Sequence, residues 1–213
     1  MTAKMDRTDL LVYAARLPDC KVLGPYTRAV IWVSGCCFDC EGCIAQNFRH
    51  SEGITISTVE MKDWILSLKN IEGITISGGE PFLQAGPLAE MISLVKEKKD
   101  LGIIVYSGFT YEQLLEKAET EQDIRDLLGQ ADILIDGPYR RELDDNRPYV
   151  GSSNQKIRIL TDRYKDCWKD YYLSKKGREI EVIISDGRTV MAGVPGREQQ
   201  QFWEELNRKF SEE

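Results

Sequence analysis

Ala29-Val30-Ile31-Trp32-Val33-Ser34-Gly35-Cys36-Cys37-Phe38-Asp39-Cys40-Glu41-Gly42-Cys43 joins a short apolar run to a cluster of thiols. Residues 29–34 are almost wholly apolar and β-branched. That composition suits a strand buried on both faces, as in a parallel sheet. The thiols follow at once, so they hang as a loop from the C-terminal end of the strand. Cys36, Cys40 and Cys43 stand in C-x3-C-x2-C order. Three thiolates at that spacing can bind three corners of a cubic iron–sulfur cluster and leave the fourth iron without a protein ligand.

Downstream, strands and amphipathic helices alternate. Ser57 with Glu60 makes a capping box, and Met61, Trp64, Ile65 and Leu68 then share one helical face. Gly73–Ser77 is a second strand, ending in Gly78-Gly79-Glu80-Pro81. Leu88, Met91, Ile92 and Val95 form another helical stripe. Leu101–Tyr106 is a third strand, ending in Ser107-Gly108-Phe109. Thr110 with Gln113 caps a helix, and Ile124, Leu127 and Leu128 mark one more. Asp132–Ile135 is a fourth strand, ending in Asp136-Gly137-Pro138, and Lys156–Leu160 is a fifth. This order predicts an α/β fold, a partial (β/α) barrel of about five to six parallel strands. Residues 10–23 show no clear periodicity and are assigned no element. In such sheets the loops at the C-terminal strand ends build the site. The cysteine loop, Gly78-Gly79-Glu80, Ser107-Gly108 and Asp136-Gly137 all fall on that rim.

The tail reads differently. Residues 179–192 read as a β-hairpin turning at Asp186-Gly187, and a last helix carries Phe202, Trp203, Leu206 and Phe210. Tyr164, Cys167, Trp168, Tyr171 and Tyr172 have helical spacing and read as core. Residues 1–213 are expected to form one domain, with its core at about 24–160 and a C-terminal extension at 161–213.

The formal net charge of −7 offers no basic excess to neutralise phosphates, so no nucleic-acid partner is expected. Neither a membrane span nor a signal-type apolar stretch is evident, which predicts a cytoplasmic protein whose clustered cysteines bind metal rather than pair as disulfides. A zinc site completed by Cys20, Cys37, Cys167 or His50 is the plain alternative, as a metal-stabilised binding module. Zinc sites usually join two short cysteine knuckles, however, and here there is one group.

Gly35-Cys36-x3-Cys40-x2-Cys43 after one strand and Ser77-Gly78-Gly79-Glu80-Pro81 after the next resemble the radical S-adenosylmethionine enzymes. Within them the likeness is to the activases of glycyl radical enzymes, above all the anaerobic ribonucleotide reductase activating proteins. Gly24-Pro25-Tyr26-Thr27-Arg28, Asp132–Pro138 and Gly151-Ser152-Ser153-Asn154-Gln155 fit that branch. The resemblance implies a 4Fe-4S cluster on Cys36, Cys40 and Cys43 and S-adenosylmethionine chelating the open iron. Reductive cleavage then yields a 5′-deoxyadenosyl radical that takes a hydrogen atom. By the same likeness Gly78, Gly79 and Glu80 hold the methionine amino group, and Gly42, Cys43 and Ile44 face the adenine. Ser107 reaches the ribose or carboxylate. Asp136 stands where some activases bind a cation, with glycine and proline replacing the lysine that follows there. Asn154 and Gln155 are polar ligands on the same rim. Implied partners are a glycyl radical enzyme or a peptide as substrate, and reduced flavodoxin or ferredoxin as electron donor. Cys37, where relatives often have proline, reads as a bystander. Cys20 and Cys167 read as small packing residues, and His50 as a polar loop residue.

Overall fold

A computed structural model describes residues 9–174, 177–185, 188–196, 199 and 201–202. The chain forms β1 (Leu10–Cys20), β2 (Arg28–Val33), a short α1 (Gln46–Arg49), β3 (Ile54–Ser57) and α2 (Thr58–Ser67). It continues through β4 (Gly73–Gly78), α3 (Ala85–Lys96), β5 (Gly102–Ser107), α4 (Tyr111–Ala118) and α5 (Gln122–Gln130). β6 (Ile133–Asp136), β7 (Lys156–Ile159), α6 (Lys165–Ser174), β8 (Ile180–Ser185) and β9 (Arg188–Gly193) complete it. The result is a mixed α/β fold with a seven-stranded sheet in the order β3-β1-β2-β4-β5-β6-β7 and a separate β8–β9 hairpin.

The middle of the sheet follows the sequence reading. β2, β4, β5 and β6 run parallel to one another. Its margins do not. β1 is an eleven-residue strand where no element was expected, and it runs antiparallel to β2 and β3. β7 is also antiparallel to β6. The sheet is therefore mostly parallel rather than wholly so, and among the described residues β3 and β7 each have a single neighbour. The reversal at β7 has a physical cause. Between β6 and β7 the chain makes only a short 3-10 turn at Arg141–Leu143, and a parallel neighbour needs a longer crossover, usually a helix.

Alternation places successive side chains on opposite faces. Ile31 and Val33 of β2, Ile74 and Ile76 of β4, and Ile103 and Val105 of β5 pack with Met61, Ile65, Leu88, Met91, Ile92, Val95, Leu114 and Leu127 of the helices. On the other face Ile104, Ile133 and Ile135 meet Tyr149, Tyr164 and Trp168, so the aromatic stripe of α6 is core as expected. Val30 and Trp32 meet Leu17, Cys20 and Ala192, with Ile183 and Val190 of the hairpin against them. Both faces are covered, which is why β2 is buried along its whole length. Both expected capping boxes are present, Ser57 with Glu60 and Thr110 with Gln113. The hairpin turn at 186–187 and nearly all of the expected last helix lie outside the described residues.

Candidate functional site

The cysteine loop leaves β2 where three neighbours fix its root. The Gly79 N–H donates to Val33 O and the Glu80 N–H to Gly35 O, each at 2.8 Å. Gln84, in the 3-10 turn after Pro81, donates through Nε2 to Val12 O and Ser34 O at 2.9 Å and accepts from Val12 N at 2.7 Å. One side chain thus ties β1, the end of β2 and the turn after β4 together. Gly78 and Gly79 are required by this crossing. Gly78 has φ of 100°, and a Cβ on Gly79 would sit 2.0 Å from Gly35 O. Their bareness serves backbone packing under the thiol loop, a reason additional to close approach of a ligand.

Glu80 braces the rim from inside. Its buried carboxylate accepts from Phe82 N at 3.0 Å, Ser107 Oγ at 2.9 Å and Gly108 N at 2.7 Å. It therefore joins the loop after β4 to the loop after β5. Burial pushes its pKa up to about 7, against the pull of those three donors. Above it the ring of Phe38 lies edge-on to Phe109, with centroids 4.9 Å apart.

Cys36, Cys40 and Cys43 line a cavity of about 590 Å³ together with Gly42 and Ile44. Gly78, Gly79, Glu80, Ser107 and Gln155 line the same space. Four sequence-distant loops thus converge on one cavity, the last of them the β6–β7 loop with Gly137 and Gln155. Burial raises all three thiols, Cys36 to about 11. Each also meets a backbone N–H that favours its thiolate: Phe38 toward Cys36, Tyr139 toward Cys40, Ala45 toward Cys43. Such donors are what a thiolate-bound cluster uses to disperse its charge. Among the described residues no three His, Cys, Asp or Glu side chains close on a single ion. A polynuclear cluster takes ligands set wider apart than one zinc ion does. The residues present fit an iron–sulfur cluster.

The other expected ligands are placed differently. Gln155 lines the cavity, but its Oε1 accepts from Gly151 N at 2.7 Å and its Nε2 donates to Gly137 O at 2.9 Å, so it shapes a loop. Asp136 and Asn154 are not part of the cavity wall. The Asp136 carboxylate accepts from Arg158 Nε at 2.7 Å and from Tyr111 N at 2.9 Å, while Asn154 Nδ2 donates to Pro138 O at 2.8 Å. Cys37 is exposed, Cys20 buried and Cys167 half-buried. His50 is exposed.

Several wall residues carry no sequence signal of their own. Trp32, Phe48 and Tyr106 make an apolar flank, and Met191, Val194 and Pro195 of the C-terminal region close it. Arg178 staples that region down. Its buried guanidinium donates to both Asp144 oxygens at 2.8 and 3.0 Å, to Pro195 O at 3.0 Å and to Gly151 O at 2.6 Å. A lone arginine beyond the last rim motif gives no warning of this. Arg49, at the end of α1, also lines the cavity.

Residues 22–158 match the family described as the 4Fe-4S single cluster domain. The chain is 30% identical over 154 residues to the anaerobic ribonucleoside-triphosphate reductase-activating protein of Enterobacteria phage T4, covering 70% of this chain and 92% of that one. The protein of the same name from Vibrio cholerae is 33% identical over 150 residues, 66% of this chain and 92% of that one. The one from Haemophilus influenzae is 32% identical over 154 residues, 68% and 96% respectively. The region of Arg178 and the hairpin lies beyond the family match. With the cysteine loop and its rim inside that match, the chain belongs to the 4Fe-4S single cluster domain family, among the anaerobic ribonucleoside-triphosphate reductase-activating proteins.

Proposed function

We propose that this protein is a radical S-adenosylmethionine activase that generates a glycyl radical on a partner protein, an anaerobic ribonucleotide reductase. The observation that carries the reading is the convergence of Cys36, Cys40 and Cys43 with Gly78, Gly79 and Ser107 on one cavity. The cluster and S-adenosylmethionine would supply a one-electron cleavage of the sulfonium C–S bond, whose organic radical takes a hydrogen atom from a partner glycine. Cys36, Cys40 and Cys43 hold the cluster by exchanging thiol protons for iron. The turn at Gly78-Gly79 lies against the thiol loop and offers backbone groups to the amino acid part of the ligand. Glu80 keeps the Ser107-Gly108 loop in register with that turn. Gly42 and Ile44 flank the adenine, and Gln155 holds its loop in place. Trp32, Phe48 and Met191 exclude water beside the reacting centre. Asp136 acts by positioning Arg158 and α4, and Asn154 by holding Pro138. The sheet is read as the wall of a partial barrel, within one domain, in a cytoplasmic protein that draws its electron from reduced flavodoxin or ferredoxin.

Anaerobic reconstitution tests this. Iron and sulfide near about four each per chain are expected, and dithionite with S-adenosylmethionine then yields 5′-deoxyadenosine. Mixing with the reductase yields a glycyl radical signal by electron paramagnetic resonance. Deoxyadenosine without that signal would remove the activase reading and leave a peptide or small molecule as substrate. Stoichiometric zinc without deoxyadenosine would remove both.

A further inference from the structure

Arg49 stands out among the charges around the thiol loop. It lines the same cavity as Cys36, Cys40 and Cys43. Its charge acts on all three: it favours the thiolates of Cys40 and Cys43, and Cys36 and Cys40 in turn favour its cation. One edge of the guanidinium pairs with Asp39, inside the loop. The Nε–H is buried and has no hydrogen-bond partner among the described residues. The pair is lopsided. The Arg49 side chain is 23% exposed and that of Asp39 is 82% exposed. Water screens the anion far more than the cation, so the field reaching the cavity is positive. The loop's other charged neighbours differ. Arg141 pairs with Glu41 at 3.2 Å, both largely exposed. Glu80 opposes the cation at Cys36, Cys37 and, after Arg49 in weight, Cys40, while it does not act on Cys43; Lys117 acts on Cys37.

We infer that Arg49 is an electrostatic positioning residue for the iron–sulfur cluster, a fixed cation on the Cys40–Cys43 side that favours the reduced state. Three thiolates around the cubane leave a net negative charge, and one added electron deepens it. A cation held in a partly water-excluded wall lowers the cost of that electron. Asp39 orients the guanidinium from solvent, and the rest of the Arg49 side chain stays in the cavity wall.

The test is the midpoint potential of the reconstituted cluster, read by anaerobic titration with electron paramagnetic resonance and without S-adenosylmethionine. It needs no turnover, so its outcome is independent of the activase reading. In Arg49→Gln the reduced-to-oxidised ratio at a fixed potential is expected to fall about tenfold, the scale a unit charge exerts nearby at an effective dielectric of about 20. Arg49→Lys restores most of it. Asp39→Asn shifts the potential the opposite way, because it removes an anion and leaves the cation. An unchanged potential in Arg49→Gln, at full iron content, overturns the inference. Where Arg49→Gln fails to load iron, Asp39→Asn decides. An upward shift sustains the inference, and no shift or a downward one overturns it.

Discussion

The two ends of the parallel strands bury polar groups in opposite ways. At the N-terminal end Arg28 is fully buried and its donors are all used. It reaches Thr75 Oγ1 at 2.8 Å, Glu72 at 2.9 Å, Tyr164 Oη at 2.7 Å, Ile74 O at 2.9 Å and Gly102 O at 2.7 Å. Tyr164 in turn donates to Glu72 at 2.6 Å. At the C-terminal end the groups are left wanting. Three thiols are pushed up by burial and Arg49 keeps a buried N–H with no partner among the described residues, while the Glu80 carboxylate is raised toward neutrality even with its three donors. A closed network fixes a fold, whereas an open one stores affinity for what is to be bound.

The contrast is broken most directly at its two centres. Cys36→Ser, Cys40→Ser or Cys43→Ser should each abolish the cluster, with iron falling from about four per chain to below about one, read by colorimetric iron and sulfide analysis. Secondary structure by circular dichroism should be retained. Arg28→Met should do the reverse. It strips the buried Ile74 and Gly102 carbonyls of the Arg28 donor and leaves Glu72 with only Tyr164 and Arg163, at a cost of about 3–5 kcal/mol in chemical unfolding. Cluster chemistry should survive in whatever fraction stays folded.

Glu80 sharpens the comparison, because it is the buried carboxylate at the open end. Its pKa stands raised to about 7 in the folded chain, against the ordinary value of 4.5. The folded state therefore holds this proton more tightly. That contribution to stability is fully present below about pH 4.5 and is lost as pH rises through about 7. The cluster-free wild type should lose about 3 kcal/mol relative to Glu80→Gln between pH 4.5 and 8, by denaturant melts at each pH. A flat difference would show that the three donors, rather than burial, set its charge.

The smallest effect belongs to Cys37. The neighbour of a proposed ligand is exposed and outside the cavity wall. Cys37→Ser should leave iron content unchanged and stability within about 0.5 kcal/mol.

The legible parts of this molecule are those whose physics is local. β2, β4, β5 and β6 are short apolar runs between turn signals, and the capping boxes of α2 and α4 need only four residues each. The rim followed from strand order alone, and with it the meeting of Cys36, Cys40 and Cys43 with Gly78 and Gly79. β1 escaped because it lies toward the margin of the sheet, with register shifts after Tyr13 and after Leu17, and its burial does not alternate cleanly. β3 is four residues long and runs straight into the Ser57 cap. The absence of a helix between Asp136 and Lys156 was a usable sign that β7 turns back. Gln84, Arg178 and Met191 were not legible, since their partners lie far away in sequence. Gln84 bonds across 72 residues to Val12.

The central claim is that Cys36, Cys40 and Cys43 would hold a cluster in the cavity they share with the Gly78-Gly79 turn, leaving one iron to be ligated by S-adenosylmethionine. Electron paramagnetic resonance of the reduced, reconstituted protein before and after adding S-adenosylmethionine tests it directly. The account predicts that the cluster's g-values shift on addition, and that the shift is lost when the turn is distorted by Gly79→Ala. A cluster signal indifferent to S-adenosylmethionine in the wild type would contradict it.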